Sequence, residues 1–558
     1  MKRIFISIIL LATMAEVKVQ SQSYGDYTFY SPKNNSRAYL IDMSGNTYHT
    51  WTFASNAQTG YSSYLLPGGV VFRTVARQGN SFSGGPVCGQ VQKVDWNGNI
   101  IWNYVYSTTT YCTHHDIHPM PNGNVLLIAY ELKTPAEVTQ AGCSQSITMW
   151  PDKIVEIQPS GATGGIVVWE WHAWDHLCQN VNSSKNNYVT FIVQHPELLN
   201  INYNTTTDWM HVNGIDYNEA LDQITFSSHA LNELYVIDHS TTTAQAAGHT
   251  GGNSGKGGDL LYRWGNPTAY QASGPTIFNV VHDAHWVPAD CPKANYLSGF
   301  NNKGGAGNKT CIDLINPPYE GYNYTITPGS AYTPPTSDWR HTYSGAPTQD
   351  EGNCQQLPNG NTLICISFSG YIYEIDSNQN VVWSKTINGS TTNALRYTAC
   401  YVNGPVTPVI TENAGILYSS ATSGNQWFFE GTLIAGATGS SLTPTQSGNY
   451  RVQVTDVNGC VSQLSNPYNV TEIGTVETVL AERILIFPNP TSGKINISGS
   501  LVENNDYEIT VFNVCGKIIL QQRNTPEMDL TSFGKGIYFL SLKSETGETI
   551  SRKIVVAN

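Results

Sequence analysis

The chain has 558 residues and a mass of 61.1 kDa, which predicts about two to four domains. Only 12% of its residues are charged, against roughly a quarter in ordinary soluble proteins, while Gly (50) and Tyr (32) are abundant. This composition is typical of a turn-rich extracellular β protein. The net charge of −13 excludes nucleic acid and anionic membranes as partners, because both attract basic surfaces.

The N-terminus has the pattern of a signal peptide. Lys2 and Arg3 precede an apolar run over residues 4–15, and Val19-Gln20-Ser21 fits a cleavage site. We therefore predict a signal peptide over residues 1–21 and a mature start at Gln22. No long apolar run follows, which predicts a mature chain without a transmembrane segment.

Eleven cysteines in an exported chain predict disulfides, with at least one thiol left over. The absence of a Cys-x-x-Cys motif argues against a zinc ribbon or a thioredoxin-type site. Closeness in sequence favours three pairs: Cys88 with Cys112, Cys143 with Cys178, and Cys291 with Cys311.

A strand, a Gly- or Asn-rich turn and a strand ending near Trp recur six times, at residues 40–51, 93–102, 154–171, 236–264, 312–339 and 374–383. Between these copies lies a second hairpin, with Pro-Asn-Gly-Asn turns at 121–124 and 358–361. Two hairpins make a four-stranded antiparallel sheet. Six such sheets around an axis predict a six-bladed β-propeller over residues 22–402, with blades from about residue 24. An array of β-sandwiches is the alternative.

The remaining chain predicts two small β-sandwiches, so the fold class is all-β. Residues 403–476, with Trp427 and the strand-like run 448–456, resemble an immunoglobulin-like module followed by a linker. Residues 477–558 begin with Phe-Pro-Asn-Pro-Thr-Ser-Gly at 487–493 and end with Arg-Lys-Ile-Val-Val at 552–556.

This last unit resembles the C-terminal sorting domain of type IX secretion substrates. The resemblance implies export through the periplasm of a Gram-negative bacterium, a secreted or cell-surface location, and the type IX machinery as partner. A plain terminal β-sandwich is the alternative.

All fourteen histidines lie between His49 and His341, so chemistry near neutral pH belongs to the propeller. The second hairpin of each blade has a turn proline, with Tyr217 in its place in one blade. Counting six residues back from it gives one shared position, occupied by Tyr61, His115, His211, His282 and Gly352. If this position begins the innermost strand, three imidazoles converge at the mouth of the channel. His118 and His285 share a second position, His114 is a neighbour of His115, and Asn213 lies on the same strand face as His211.

Such histidines can also be packing residues copied from blade to blade. If they are functional, three histidines without carboxylates suit zinc or copper, or transfer of an anionic group by a nucleophilic imidazole.

Four short motifs are similar to those of the arylsulfotransferase family, in the same order: Thr-His-His-Asp-Ile at 113–117, Asp-Trp-Met-His-Val-Asn at 208–213, Ser-Ser at 227–228 and Val-His-Asp-Ala at 281–284. The similarity extends over about residues 36–400. It implies sulfuryl transfer from a phenolic sulfate to a phenolic acceptor without a nucleotide donor. It also implies that His282 is transiently sulfated, that His115 and His211 bind the sulfuryl oxygens, and that Asn213 assists.

One position departs from the family pattern. His229 stands where the family has an arginine, so a fixed charge is lost. Arg263 and Arg73 are the candidates to replace it, and His229 itself, His114 and His285 are further supporting candidates. Gly255-Lys256-Gly257-Gly258 lacks the Ser or Thr and the glycine spacing of a phosphate loop, so no nucleotide site is expected.

No metal or cofactor is expected for this reaction, although Asp and Asn in the blade turns could bind structural calcium. Two other functions remain open. One is a metal-dependent protein that holds zinc or copper in the histidine cluster, with His118 and His285. The other is a non-catalytic secreted propeller that binds glycan, peptide or cell-surface ligands through its Tyr- and Trp-rich loops.

Overall fold

Four-stranded antiparallel sheets dominate residues 27–397 of the computed structural model, which describes residues 22–77, 79–471, 484–499, 502, 506–544 and 549–557. Six of these sheets follow one another along this part of the chain. The predicted signal peptide lies outside the described residues.

The first three sheets, called blades one to three, contain short strands in chain order. Blade one has β1 (Tyr27–Pro32), β2 (Arg37–Asp42) and β3 (Thr47–Thr52), and blade two has β4 (Thr59–Leu66), β5 (Val70–Val75), β6 (Gln90–Val94) and β7 (Ile100–Val105). Blade three has β8 (Tyr111–Pro119), β9 (Val125–Glu131), β10 (Asp152–Ser160) and β11 (Gly164–His172), with helix α1 (Pro135–Gln140) after β9.

Blades four to six repeat this order with longer insertions. A parallel pair, β12 (Leu177–Cys178) and β13 (Leu199–Asn200), precedes blade four, which has β14 (Val212–Asn218), β15 (Gln223–Ser228), β16 (Glu233–Asp238), helix α2 (Thr243–Ala246) and β17 (Tyr262–Trp264). Blade five has β18 (Val281–Trp286), β19 (Leu297–Gly305) and β20 (Lys309–Ile315), then the hairpin β21 (Tyr319–Glu320) and β22 (Asn323–Tyr324), and finally β23 (Trp339–Thr342). Blade six has β24 (Asn353–Gln356), β25 (Thr362–Ile366), β26 (Tyr371–Ile375) and β27 (Val381–Thr386), before β28 (Thr391–Tyr397) and helix α3 (Ala399–Asn403). Short 3-10 turns occupy Ala173–Asp175, Ile192–Gln194, Pro267–Tyr270 and Ser367–Ser369.

The sheets close into a ring. Strand β28 pairs antiparallel with β1, with Tyr27 opposite Tyr397, and so becomes the innermost strand of blade one. The innermost strands β4, β8, β14, β18, β24 and β28 each contact the next around the ring. The predicted β-propeller is confirmed, and the predicted Trp-ending hairpins are the outer two strands of each sheet.

The repeated tryptophan has a physical reason. A buried indole must place its N–H on an acceptor, and in five repeats that acceptor is a backbone carbonyl of the next blade. The donor–acceptor pairs are Trp51 with Asp95 (3.1 Å), Trp102 with Gly164 (2.9 Å), Trp171 with Gly258 (2.7 Å), Trp264 with Pro334 (2.6 Å) and Trp383 with Met43 (2.8 Å). The repeat therefore encodes blade-to-blade packing.

The immunoglobulin-like module is a sandwich of two sheets. Its strands are β29 (Ile410–Asn413), β30 (Ile416–Ser419), β31 (Asn425–Phe429), β32 (Thr432–Leu433), β33 (Ser441–Leu442), β34 (Gly448–Val454) and β35 (Tyr468–Val470). Its core packs Leu417, Trp427, Tyr450 and Val452. A disulfide between Cys400 of α3 and Cys460 joins the propeller to this module.

The three cysteine pairs predicted from sequence spacing are wrong. Cys88, Cys112, Cys143, Cys178, Cys291 and Cys311 are all buried free thiols. Each sulfur has its own surroundings: the thiol of Cys88 contacts the carbonyl of His115, for example, while that of Cys291 contacts the carbonyl of Gln356. Nearness in sequence failed here because the two members of each pair lie in different strands or loops and have different neighbours.

The C-terminal unit is a second sandwich. Its strands are β36 (Leu485–Phe487), β37 (Lys494–Ser498), β38 (Tyr507–Asn513), β39 (Ile518–Arg523), β40 (Glu527–Asp529), β41 (Gly536–Ser544) and β42 (Thr549–Val556), with a 3-10 turn at Thr531–Phe533. Alternate residues of β38 and β41 fill its core, including Ile509, Val511, Leu540 and Leu542. In the described ranges no helix is both long and apolar enough to cross a membrane.

Candidate functional site

The site lies where several innermost strands begin, and each of these strands is irregular there. The ladder shifts register between Thr113 and Ile117 in β8, at the start of β14, and between His282 and His285 in β18. A bulge of this kind bends the strand and re-aims its side chains. His115 (φ 48°) and His211 (φ 52°) also adopt left-handed backbone conformations, which cost about 1–3 kcal/mol each and gather at functional sites.

These irregular starts bring four imidazoles into one row, called here the histidine row: His115, His211, His229 and His282. Neighbouring ring centroids are 4.6 Å apart for His115 and His211, 4.8 Å for His211 and His229, and 5.5 Å for His229 and His282. Tyr61 lies beside the row, with its ring 5.0 Å from that of His115. The shared register position thus does converge, and His229, a departure from the family pattern and a supporting candidate, lies in the middle of the row.

His282 is held by two hydrogen bonds that fix its tautomer. Its Nδ1 lies 2.8 Å from the side-chain oxygen of Asn302 and must donate to it, while its Nε2 accepts the backbone N–H of Glu351 at 3.3 Å. Burial, and beyond it the nearby charges of His229 and Lys33, lowers the pKa of His282 well below its usual value. The ring is therefore neutral at neutral pH and carries its lone pair on Nε2.

His211 differs from its neighbours in charge. Its Nδ1 lies 2.7 Å from a carboxylate oxygen of Asp208. Burial alone would lower the pKa of His211, but the hydrogen bond and charge of Asp208 outweigh burial and raise it. Burial, together with the charge of His211, lowers the pKa of His115 and of His229. In the histidine row, His211 thus favours the cationic form, whereas its neighbours favour the neutral form.

Three carboxylates lie at or behind the histidine row. Asp208 binds His211, Asp350 lies 3.3 Å from His229, and a third carboxylate, Asp152, reaches the row through His114. Asp208 belongs to the motif at 208–213 and could have been noticed there. Asp152 and Asp350 lie outside all four motifs, so only the fold brings them to the site.

His114 lies directly behind the row. Its Nδ1 is 2.8 Å from Nδ1 of His115, and its Nε2 is 2.7 Å from a carboxylate oxygen of Asp152. Its ring stacks on Tyr130 at 3.6 Å. His114 is therefore a fixed connection between a buried carboxyl group and the row.

Asn213 joins two strands of the site. It donates from its side-chain amide to the carbonyl of Val281 at 2.8 Å and accepts a hydrogen bond from the hydroxyl of Ser227 at 2.7 Å. Strand β14, which follows His211, is thus tied to β18, which contains His282. In this structure the visible role of Asn213 is to hold the two histidines in register.

Arg263 does not reach the row. It lies on the outermost strand β17, where its guanidinium pairs with the carboxylate of Glu233 and donates to the carbonyl of Leu198 at 2.9 Å. Arg73 is likewise engaged elsewhere, by the carbonyl of Ala57 and the side chain of Gln92. The two arginines proposed from the sequence therefore do not replace the missing charge.

A lysine lies closer to the row than either arginine. The ammonium of Lys33, in the loop after β1, pairs with the carboxylate of Glu351, whose backbone N–H donates to His282. Ser367 holds the other carboxylate oxygen at 2.9 Å. Lys33 has no sequence signal because it sits in an ordinary polar turn about 250 residues from His282.

His118 and His285 form a second level, separate from the row. His118 pairs with Asp216 at 3.1 Å and His285 with Asp283 at 3.3 Å, and Nε2 of His285 contacts Gln356 at 2.8 Å. Asp283, His285 and Cys354 bring one ligand atom each within 4.8 Å of one another, as do His176, His249 and Asp259. Neither group, among the residues described, contains a member of the histidine row.

A groove of about 890 Å³ lies between the propeller and the immunoglobulin-like module, away from the row. Leu66, Met120 and Val409 are among its lining residues, so it faces the far ends of β4 and β8. Arg451 pairs with Glu219 beside it at 2.5 Å. The histidine row and this groove therefore lie at opposite ends of the innermost strands.

Two family models match the chain. One, described as arylsulfotransferase (ASST), matches residues 14–326, more than half of the chain and including the whole histidine row. The other, described as secretion system C-terminal sorting domain, matches residues 485–557. This sorting domain indicates secretion and export to the cell surface, as the sequence predicted.

One curated relative is the beta-agarase D of Zobellia galactanivorans, 36% identical over 78 residues. These residues are 14% of this chain and 15% of that relative, so the chain spans only a small part of its length.

The chain aligns with solved structures only at low TM-score and low identity. A protein of unknown function from Bacteroides caccae aligns with a TM-score of 0.38 and 11% identity, covering 66% of this chain and 98% of that one. The periplasmic gluconolactonase PpgL of Pseudomonas aeruginosa aligns with a TM-score of 0.33 and 9% identity, covering 80% and 96%.

Proposed function

Because the chain belongs to the arylsulfotransferase family, we propose that it transfers a sulfuryl group from a phenolic sulfate ester to a phenolic acceptor through a sulfated His282. Family membership and the sorting domain indicate a secreted sulfotransferase-like protein. The proposed reaction needs neither a nucleotide donor nor a cofactor.

The single observation that carries this proposal is the state of His282. A neutral imidazole with its lone pair on Nε2 is a nucleophile, and Asn302 holds the opposite N–H in place. In the first half-reaction Nε2 forms a bond to sulfur, the bond from sulfur to the aryl oxygen breaks, and the phenolate leaves. In the second, the acceptor oxygen attacks sulfur and Nε2 leaves.

The groups around Nε2 of His282 can stabilise the negative charge on the oxygens of the sulfuryl group during its transfer. The 3.3 Å hydrogen bond from the Glu351 N–H is long, and it is released when Nε2 bonds to sulfur. The freed N–H can then donate to a sulfuryl oxygen. The cationic form of His211 and the ammonium of Lys33 add positive charge beside a transferring group whose charge lies on its oxygens.

The experiment follows nitrophenolate release from 4-nitrophenyl sulfate by the purified protein, with phenol as acceptor. His282→Ala should lose at least about 10³-fold in rate because it lacks the nucleophile. His285→Ala is the matched control, since it removes a histidine of the same strand that lies outside the row. Mass spectrometry without acceptor should find one sulfuryl group on a peptide that contains His282.

Two outcomes would contradict this proposal. Release that survives in His282→Ala would assign the chemistry to another residue. No release and no sulfated peptide from a folded protein over a range of aryl sulfates would favour a ligand-binding propeller instead.

A further inference from the structure

Behind the histidine row, three buried side chains form a continuous line of hydrogen bonds: Asp152, His114 and His115. We propose that Asp152 and His114 are a proton relay, which acts through His115 to protonate the leaving phenolate and to take the proton of the acceptor phenol. This inference rests on the proposed sulfuryl transfer and assigns the proton movements of that reaction.

The line is short and rigid. Asp152 lies 2.7 Å from Nε2 of His114, and Nδ1 of His114 lies 2.8 Å from Nδ1 of His115. The second oxygen of Asp152 accepts the backbone N–H of Val212 at 3.3 Å, which orients the carboxyl group. Tyr130 stacks on His114 and fixes the plane of its ring. Both histidines and Asp152 are at most 2% exposed.

The line of hydrogen bonds ends at Nε2 of His115, which is the ring nitrogen that a substrate can contact. Its Nδ1 is used by His114, and among the described residues no hydrogen bond to its Nε2 is recorded. The ring of His115 lies against those of Tyr61 and His211 at the start of the innermost strands. A proton that enters the line at Asp152 can therefore leave it only at His115 Nε2.

Burial prevents the line from working through a charged imidazole. Burial lowers the pKa of His114 to about 3 and that of His115 well below its usual value. Each ring therefore has one N–H and one lone pair. With both rings neutral, only two arrangements satisfy the two short contacts, and they differ by a shift of one proton at each link.

In the first arrangement Asp152 is protonated and donates to His114, His114 donates from Nδ1 to His115, and His115 carries its proton on Nε2. In the second arrangement Asp152 is a carboxylate, and His115 presents a lone pair on Nε2. Burial, with the negative charge of Asp208 and Glu131, raises the pKa of Asp152, whereas His211 opposes this. This direction favours the first arrangement, with the proton on Asp152, as the resting one.

The proton balance matches the two half-reactions. When the bond from sulfur to the aryl oxygen breaks, the leaving oxygen takes the proton of His115 Nε2. His115 then takes a proton from His114, and His114 takes one from Asp152, which becomes a carboxylate. When the oxygen of the acceptor phenol attacks sulfur, the phenol gives its proton to His115 Nε2. His115 then returns a proton to His114, and His114 returns one to Asp152. One proton is stored at Asp152 between the two steps, and nearby His211 in its cationic form stabilises that carboxylate.

The test varies the leaving group. General acid catalysis contributes about 10²–10⁴-fold, and it matters most for a basic leaving group. Asp152→Asn should slow sulfation by phenyl sulfate by about 10²-fold or more, yet slow sulfation by 4-nitrophenyl sulfate only about threefold, because nitrophenolate leaves without a proton. His114→Phe, which keeps the stack on Tyr130, should show the same pattern.

The control is Tyr130→Phe, which retains the stacked ring and lies outside the line. It should lower the rates for both donors by one common small factor. A common factor in Asp152→Asn as well would assign Asp152 a purely structural role and overturn the relay.

A second measurement needs no activity. Nitrogen-15 NMR of the histidine-labelled protein should find His115 protonated at Nε2 in the native protein. The same result is expected in Asp152→Asn, because the new amide oxygen must accept the N–H of Val212 and its N–H₂ group then donates to His114. A proton on Nδ1 of His115 in the resting native protein would overturn the relay even if sulfuryl transfer is observed. If no donor sulfates the protein while the NMR result is as expected, the proposed function fails and the hydrogen-bonded line remains.

Discussion

The backbone N–H of Glu351 donates to Nε2 of His282 from the neighbouring blade, 69 residues further along the chain. The side chain of the same glutamate holds Lys33. One residue therefore touches the proposed nucleophile through its backbone and a cation through its carboxylate. This arrangement makes Lys33 the first residue to test after His282.

Lys33→Ala should slow nitrophenolate release by about 10- to 100-fold, because a positive charge near the sulfuryl oxygens is lost. Lys33→Arg should retain most of the activity. The control is Lys385→Ala, which removes a lysine that donates to the carbonyl of Gly45, away from the site. Equal rates in Lys33→Ala and Lys385→Ala would remove Lys33 from the mechanism.

His229→Arg restores the residue of the family pattern in the middle of the row. A guanidinium there is charged at every relevant pH and can donate two parallel hydrogen bonds to sulfuryl oxygens. We expect kcat/KM for 4-nitrophenyl sulfate to rise by about tenfold, which corresponds to about 1.4 kcal/mol of transition-state stabilisation. His229→Gln is the neutral control, and a fall in His229→Arg would mean that the site is adapted to the imidazole.

The activity should depend on the charge of His211. Since Asp208 raises the pKa of His211 above its usual 6.5, the cation persists to higher pH than in a free histidine. The rate should therefore fall as pH rises through this raised pKa. In Asp208→Asn the fall should occur at lower pH, which a pH–rate profile would detect. If the pH–rate profile of Asp208→Asn equals that of the native protein, the fall in rate at high pH belongs to another group.

The same pair predicts the sign of a stability change. A raised pKa in the folded state means that the ion pair stabilises the protein fully below the unfolded pKa, and this contribution is lost as pH rises through the folded value. In Asp208→Asn, the difference in Tm between about pH 6 and about pH 9 should therefore be smaller than in the native protein. These two pH values bracket the titration of His211. Thermal unfolding at both pH values measures it.

Arg263→Ala should destabilise the protein without changing its chemistry. It leaves Glu233 as an unpaired carboxylate in a fully buried place, which costs about 3–5 kcal/mol. The rate per folded molecule should match the native protein at temperatures below unfolding. A large fall in that rate would show that Arg263 reaches the reaction after all.

The architecture could be predicted from the sequence because its signals are local and repeated. Five of the six hairpins end in a tryptophan whose indole N–H binds the next blade, so the repeat in the sequence is largely a repeat of one contact. The convergence of His115, His211 and His282 could be predicted for the same reason, since one position in every innermost strand faces one end of the channel.

Other parts of the site depend on contacts between distant segments, and these left no pattern. Lys33 and Asp152 lie in segments without a motif and reach the row only through the closure and packing of the ring. Arg263 looked suitable by residue type, but its neighbour in space is Glu233. The cysteine pairs failed similarly, because spacing along the chain says little about which sulfurs face each other in the folded protein.

The pairing of Tyr27 with Tyr397 also bears on when the protein can fold. Blade one lacks its innermost strand until β28 is available, some 370 residues after β1. A chain that emerges from a ribosome or a translocation pore N-terminus first therefore holds an open stack of blades, and it gains the closing contacts only when β28 has emerged. Because bringing such distant segments together is slow, the topology itself delays folding until the propeller has been delivered in full.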